Sequence, residues 1–188
     1  MKVIKAKTAG FCFGVKRAVD TVYKQVDTKC GQIYTYGPII HNEEVIKDMR
    51  DKGVIVLRSE EDLDMISQGT VIIRSHGVEK RIYEKIEQKG LRIVDATCPF
   101  VKKIHNIVSE KSGEGFHIII IGNPEHPEVV GIKGWAKDNV TVIQSAEDAE
   151  CFTADRKEKI CIVSQTTFNY NKFKDLVEII SEKSYDVI

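Results

Sequence analysis

The feature that most constrains the fold is an internal repeat, because the second half of the chain re-uses the motifs of the first half. Four motifs return about 85 to 90 residues later and in the same order: "CFGVKR" (12–17) as "CPFVKK" (98–103), "GPIIHNEEV" (37–45) as "GNPEHPEV" (122–129), "RSEEDLD" (58–64) as "QSAEDAE" (144–150), and "VIIRSHG" (71–77) as "CIVSQTT" (161–167). One such match would carry little weight, whereas four in order predict two copies of one structural unit. We place the copies at 1–96 and 97–188.

Within each copy, short apolar runs alternate with patterns of helical period. The predicted strands are 3–6, 33–36, 54–57, 70–74, 91–96, 116–121, 139–143, 159–164 and 185–188, and the predicted helices include 42–52, 79–89, 99–111 and 169–183. A further helix behind Cys12 has an apolar face made of Val15, Ala18, Val19, Val22 and Val26. Regular alternation of strand and helix predicts an α/β fold, in which each unit has a small, mainly parallel sheet flanked by helices.

The overall composition gives no reason to expect a nucleic acid or an anionic membrane as partner. The chain has 28 basic and 28 acidic residues, so its formal net charge is zero. Its longest apolar run, "FHIIIIG", is far shorter than a membrane span. The N-terminal "MKVIKAKTAG" lacks the apolar core of a signal peptide, and we therefore expect a cytoplasmic protein.

Two of the five cysteines occupy equivalent positions in the repeat. Cys12 and Cys98 each follow a predicted strand and precede a predicted helix, where unpaired backbone N–H groups and the helix dipole favour a thiolate. We expect Thr97 to cap the helix that starts at Cys98, and Pro99 suits its first turn. We predict that Cys12 and Cys98 face a shared centre.

Three chemistries remain open for this pair. Two thiolates make a poor structural zinc site, which needs four ligands, and a catalytic thiol is the less favoured reading. Three thiolates from three repeats would instead suit an iron–sulfur cluster with one iron open to substrate. The other three cysteines, Cys30, Cys151 and Cys161, are predicted to be small buried apolar residues.

Three histidines share a different position, after a strand and before a helix. His41, His76 and His126 lie where oriented backbone N–H groups and imidazole donors together form an anion site, and a phosphate group is a natural occupant. Asn42 is predicted to cap the helix after His41. His105 and His117 are predicted to be structural or solvated.

An acid and a hydroxyl complete the candidate residues. Glu128 stands two residues beyond His126, and a carboxyl group held in a partly apolar pocket could donate a proton. The alternative is a solvated glutamate in a first helical turn. Thr166, after a strand, could relay a proton or bond a substrate hydroxyl, or it could be a helix cap.

With "GFCFGVKRA", "GPIIHN", "RSHGV", "DATCP", "GNPEHPEV" and "SQTT" in this order, the chain resembles the 4-hydroxy-3-methylbut-2-enyl diphosphate reductases. This iron–sulfur enzyme family ends the non-mevalonate isoprenoid pathway, and the match runs along essentially the whole chain. The resemblance implies three similar α/β domains in a pseudo-threefold trefoil around a central [4Fe–4S] cluster, with one cysteine ligand from each domain.

The resemblance also implies roles for particular residues. Cys12 and Cys98 match two cluster ligands, and His41, His76 and His126 match residues that line the diphosphate pocket. Glu128 matches the residue that delivers protons, and Thr166 matches the threonine that assists at the substrate hydroxyl. The implied reaction is a reductive dehydroxylation to isopentenyl and dimethylallyl diphosphate, with electrons from ferredoxin or flavodoxin.

The family's third cysteine and its later Ser and Asn residues have no counterpart before Ile188. We therefore expect two of three units here, with the enzyme activity belonging to the parent protein and not to this chain alone. The alternative is a binding module in which the three histidines hold a phosphorylated ligand without redox chemistry.

Overall fold

The computed structural model describes residues 3–7, 9–28, 31–155, 158–183 and 185–188. Strands and helices alternate along almost the whole of it. The first part contains α1 (Phe13–Thr28), β1 (Ile33–Tyr36), α2 (Glu43–Asp51), β2 (Ile55–Leu57), α3 (Glu60–Asp64), β3 (Thr70–Ile73), α4 (Lys80–Gln88) and β4 (Arg92–Asp95). The second contains α5 (Pro99–Gly113), β5 (His117–Ile121), α6 (Pro127–Lys133), β6 (Val140–Ile143), α7 (Ala146–Cys151), β7 (Lys159–Ser164), α8 (Tyr170–Ser181) and β8 (Asp186–Val187).

The strands form two parallel sheets of four with the same order. The first sheet runs β2-β1-β3-β4 and the second runs β6-β5-β7-β8. The four repeated motifs fall on equivalent elements, so the predicted α/β fold with two similar parallel-sheet units is confirmed. Each sheet takes its strands from one side of Ala96, and the proposed domain limits 1–96 and 97–188 stay a prediction.

The repeated polar motifs are helix starts. Ser59 and Ser145 stand at the same position before α3 and α7, and each side chain accepts a hydrogen bond from the backbone N–H three residues later. Asn42 caps α2 in the same way, accepting from Val45 N at 3.0 Å, as predicted. Such caps satisfy N–H groups that a helix leaves unpaired, so local chemistry sets where these helices begin.

The core lies on both faces of the central strands. Val71, Ile72 and Ile73 of β3 are fully buried, and so is the run 118–121 of β5. Continuous apolar burial is the pattern of parallel strands covered on both sides. The predicted face of α1 is confirmed, because Ala18, Val19 and Val22 are buried while Val15 and Val26 pack against the same core.

Three local predictions were wrong. Residues 3–6 form no strand, and Val3 and Ile4 are 87% and 79% exposed, because none of the described strands pairs with them. Thr97 does not cap α5, since the residue before the helix is Cys98 and the Thr97 hydroxyl lies 3.2 Å from Tyr83 Oη. Cys151 is exposed.

Two other cysteine predictions had different outcomes. Cys161 is buried as expected, and Cys30 lies outside the described residues. Within the described part of the chain, no helix combines the length and apolar character needed to cross a membrane.

The burial pattern predicts unequal responses to the same truncation. Ile72→Ala removes a fully buried side chain from a central strand and should lower the free energy of unfolding by about 2–5 kcal/mol. Ile55→Ala, on an edge strand and 48% exposed, should cost about 1 kcal/mol or less. Urea unfolding measures both, and equal losses would contradict this account of the core.

Candidate functional site

Three histidines that are distant in sequence meet at the carboxyl ends of the strands. His41 follows β1, His76 follows β3 and His126 follows β5 of the second sheet. The ring centroids of His41 and His76 are 4.8 Å apart, and those of His76 and His126 are 5.7 Å apart. The predicted set therefore forms one contiguous cluster, with members from both sheets.

The central histidine of this cluster is neutral at physiological pH. Burial, and then the nearby charges of His41, Arg74 and His126, lower the pKa of His76 from 6.5 to about 4. A neutral imidazole carries one N–H donor and one acceptor nitrogen, so His76 can donate a single hydrogen bond to a ligand without bringing a full charge.

His126 has a defined tautomer when it is neutral. It is the residue before α6, and its Nδ1 accepts a hydrogen bond from the backbone N–H of Glu128 at 3.1 Å. The proton of the neutral ring then lies on Nε2. This nitrogen is left as a hydrogen-bond donor to a ligand.

Glu128 is a buried carboxyl group, and the solvated alternative is excluded because only 1% of it is exposed. Its Oε1 accepts the backbone N–H of Thr166 at 2.6 Å, and its Oε2 accepts the Thr166 hydroxyl at 3.1 Å. Thr166 is exposed and is not a helix cap, since Asn169 caps α8. The pair links a buried acid to the surface through one hydroxyl.

The two predicted ligand cysteines lie at equivalent helix starts. Cys98 directly precedes α5, with Pro99 at its first position as predicted, and Cys12 directly precedes α1. A Cβ added to Gly14 would lie 2.5 Å from Cys98 Sγ, so glycine is required for the thiol to lie against the first turn of α1. Cys12 is exposed and Cys98 is partly exposed.

Within the residues that the structure describes, no group of three or more His, Cys, Asp or Glu side chains has the arrangement needed to hold a metal ion.

Ser75 and Gln165 were missed by sequence reasoning. The backbone N–H and the hydroxyl of Ser75 both donate to Ile39 O, and the Ser75 carbonyl accepts the N–H of Cys98 at 2.9 Å. Gln165 follows β7 of the second sheet, as Ser75 follows β3 of the first, and its Oε1 accepts the N–H of Asn123 at 2.9 Å. The repeat itself was the available signal, because Ser75 in "RSHG" and Gln165 in "SQTT" occupy equivalent positions.

A contact between the two units holds the histidine loops together. Trp135, just after α6, donates its indole N–H to Val78 O at 2.9 Å and stacks on His105 with ring centroids 5.0 Å apart. His105 is fully buried, which confirms the structural reading, and its Nε2 has no hydrogen-bond partner. His117 is also structural, bonding Glu158 and Thr141 through its two ring nitrogens.

Fold and site together define an α/β protein of two similar parallel-sheet units, with thiols, imidazoles and a buried acid at the carboxyl ends of its strands. The comparisons with known proteins agree with this description. A model of the family described as "LytB protein" matches residues 3–188. The chain therefore belongs to the LytB protein family.

A relative from Thermoanaerobacter sp. (strain X514), named 4-hydroxy-3-methylbut-2-enyl diphosphate reductase, is 47% identical over 190 residues. That match covers all of this chain and 65% of the relative, so the chain spans about two thirds of the relative's length.

Two solved structures are also similar. The reductase from Plasmodium falciparum superposes with a TM-score of 0.89 at 30% identity, covering 97% of this chain and 57% of that one. A second, described as the terminal enzyme of the non-mevalonate pathway, has a TM-score of 0.82 at 37% identity, covering 98% of this chain and 65% of that one.

The buried imidazole predicts a pH dependence of stability. Burial is the main cause that lowers the pKa of His105 from 6.5 to about 4, with Asp95 opposing it and Lys102 adding to it. Between these values the unfolded chain binds a proton that the folded chain does not, so stability falls as pH falls from about 6.5 towards 4.

His105→Phe keeps an aromatic ring against Trp135 and removes the titrating group. Urea unfolding at a series of pH values measures the effect. Below pH 6.5 the free energy of unfolding of the variant should fall less steeply than that of the unchanged protein, by up to about 1.4 kcal/mol per pH unit. An unchanged slope in this variant would contradict the assignment.

Proposed function

We propose that this chain forms two of the three α/β units of a 4-hydroxy-3-methylbut-2-enyl diphosphate reductase. The observation that carries the proposal is the buried Glu128, bonded at both oxygens by Thr166, in the same α6 region as the histidine cluster. Family membership and the names of the relatives support the same activity. A third unit would supply the remaining wall of the pocket.

The overall reaction replaces a C–O bond of the substrate by a C–H bond. It consumes two electrons and two protons, and it releases water and gives isopentenyl or dimethylallyl diphosphate. We infer ferredoxin or flavodoxin as the electron donor, and a cytoplasmic setting in which either is present.

Cys12 and Cys98 would hold a [4Fe–4S] cluster together with a cysteine of the third unit. Both residues directly precede a helix at equivalent places in the repeat, and Gly14 leaves room for the Cys98 sulfur. When bound, the cluster supplies electrons and a Lewis-acidic iron for the substrate hydroxyl.

The histidine cluster binds the diphosphate of the substrate. His41 is exposed, the neutral ring of His76 offers an N–H donor to phosphate oxygens without a buried positive charge, and Nε2 of His126 faces away from the Glu128 N–H as a further donor. The rings of His41 and His126 lie 4.8 Å and 5.7 Å from the ring of His76, so several donors occupy a small volume, which suits a group with many acceptor oxygens.

Glu128 and Thr166 move the proton. Glu128 is too deeply buried to exchange protons directly with bulk water, whereas Thr166 is exposed. With Glu128 ionised, the Thr166 hydroxyl donates to Glu128 Oε2. When Oε2 is protonated it donates to the hydroxyl instead, and Thr166 gives its own proton to the substrate oxygen as it takes the one from Glu128. Departure of that oxygen as water needs this proton.

Anaerobic reconstitution with iron and sulfide tests the cofactor. The full-length protein should turn brown with broad visible absorption, and Cys12→Ser or Cys98→Ser should abolish the colour. Cys151→Ser is the matched control, because Cys151 is exposed and lies outside the site. A colourless full-length protein would reject the reductase and favour a non-redox module that binds phosphorylated ligands.

Glu128→Gln keeps the size and the hydrogen-bonding capacity of the side chain but cannot donate a proton to the substrate. In the reconstituted full-length enzyme, kcat should fall by about 10²–10⁴-fold with little change in KM, as expected for loss of a general acid. Glu125→Gln, an exposed neighbour in the same loop, should leave kcat unchanged. Similar kcat values for the two variants would remove Glu128 from the mechanism.

A further inference from the structure

A cleft of about 620 Å³ opens beside the histidine cluster, at the carboxyl ends of β1 and β2 and along α2. Its wall includes Gly37 from the loop after β1, Arg58 after β2 and Arg74 after β3. The volume is within the range of small-molecule sites. None of the three clustered histidines lines it, so the cleft is separate from the site already described.

The charge of the cleft is mainly positive. Four cationic side chains line it, with two carboxylates at one end: Lys47, Arg50, Arg58 and Arg74, and Glu43 and Glu44. Both glutamates belong to the first turn of α2, whereas Lys47 and Arg50 lie one and two turns further along the same helix. With four cations against two carboxylates, the cleft has an excess of two positive charges.

The four cations have no acidic partner within the described part of the chain. Its ion pairs include none of them. Two other glutamates near this edge of the sheet are already neutralised, because Glu60 and Glu79 bind Arg81. The positive charge of the cleft is therefore uncompensated within the described part of the chain, and an anion from outside would neutralise it.

Arg74 is the best-defined of these cations. Its guanidinium Nε donates to Gly77 O at 3.3 Å, and its Nη1 occupies the space that a Cβ on Gly37 would fill. Gly37 has a φ of +74°, so its backbone conformation also favours glycine. Burial lowers the pKa of Arg74, which reflects a desolvated charge with no counter-ion.

We propose that this cleft binds a small phosphate-bearing anion, at a site distinct from the histidine cluster. Three of the four cations are arginines, whose planar donor forks match the oxygens of a phosphate in pairs. The concave shape and the recessed Arg74 favour a small ligand over the surface of an acidic protein.

Isothermal titration with inorganic diphosphate tests the proposal on the chain as it is. In a His41→Asn/His126→Asn background, binding should persist, and adding Arg58→Gln and Arg74→Gln should weaken it at least about tenfold. Arg92→Gln is the matched control, since Arg92 begins β4 at the opposite edge of the same sheet. Circular dichroism and thermal unfolding verify that each variant is folded.

Gly37→Ala provides a second variant that keeps every charge. Its methyl group would displace the Arg74 guanidinium, so it should weaken binding as well. The proposal is overturned if the histidine-substituted chain no longer binds diphosphate, or if the two arginine substitutions match Arg92→Gln. Citrate, bound as tightly as diphosphate, would overturn the phosphate assignment.

Discussion

The site depends on hydrogen bonds at one small residue, Ser75. Its N–H and hydroxyl both donate to the Ile39 carbonyl, while its own carbonyl accepts the N–H of Cys98. These bonds join the loop that carries His41, the loop that carries His76 and the start of α5. Ser75 is buried, so each broken bond would leave an unpaired polar group away from water, at a cost of about 1–3 kcal/mol. The positions of the His41 and His76 imidazoles and of the Cys98 thiol are thereby coupled.

The junction between the two units makes a second, complementary constraint. Packing of Trp135 on His105 and its bond to Val78 bring α6 against the His76 loop, and Gly131 of α6 faces Gly77 at this contact. The same helix carries Glu128. The ring stack, the indole hydrogen bond and the close glycine contact at the junction therefore determine the distance between the His76 loop and Glu128.

Much of this was predictable from local patterns. The repeat predicted two equivalent sheets, and the cap at Asn42 and the apolar face of α1 follow from short-range chemistry that each segment carries itself. Pairing across long distances was not predictable. Residues 3–6 have the composition of a strand, but a strand needs a neighbour, and Thr97 bonds Tyr83 instead of capping α5. The burial of Glu128 and the link through Gln165 likewise depend on which loops meet.

The shared strand order has a consequence for where the site lies. In each sheet the chain runs from the inner strand out to one edge and then crosses to the other side, so the loops after β1 and β3, and after β5 and β7, diverge. Such topological switch points open crevices in parallel sheets. His41 and His76 flank the first crevice, whereas Glu128 and Thr166 flank the second. His126 follows β5 and lies beside Glu128, so the second crevice carries one imidazole of the cluster as well as the buried acid, and neither sheet alone brings the three histidines together.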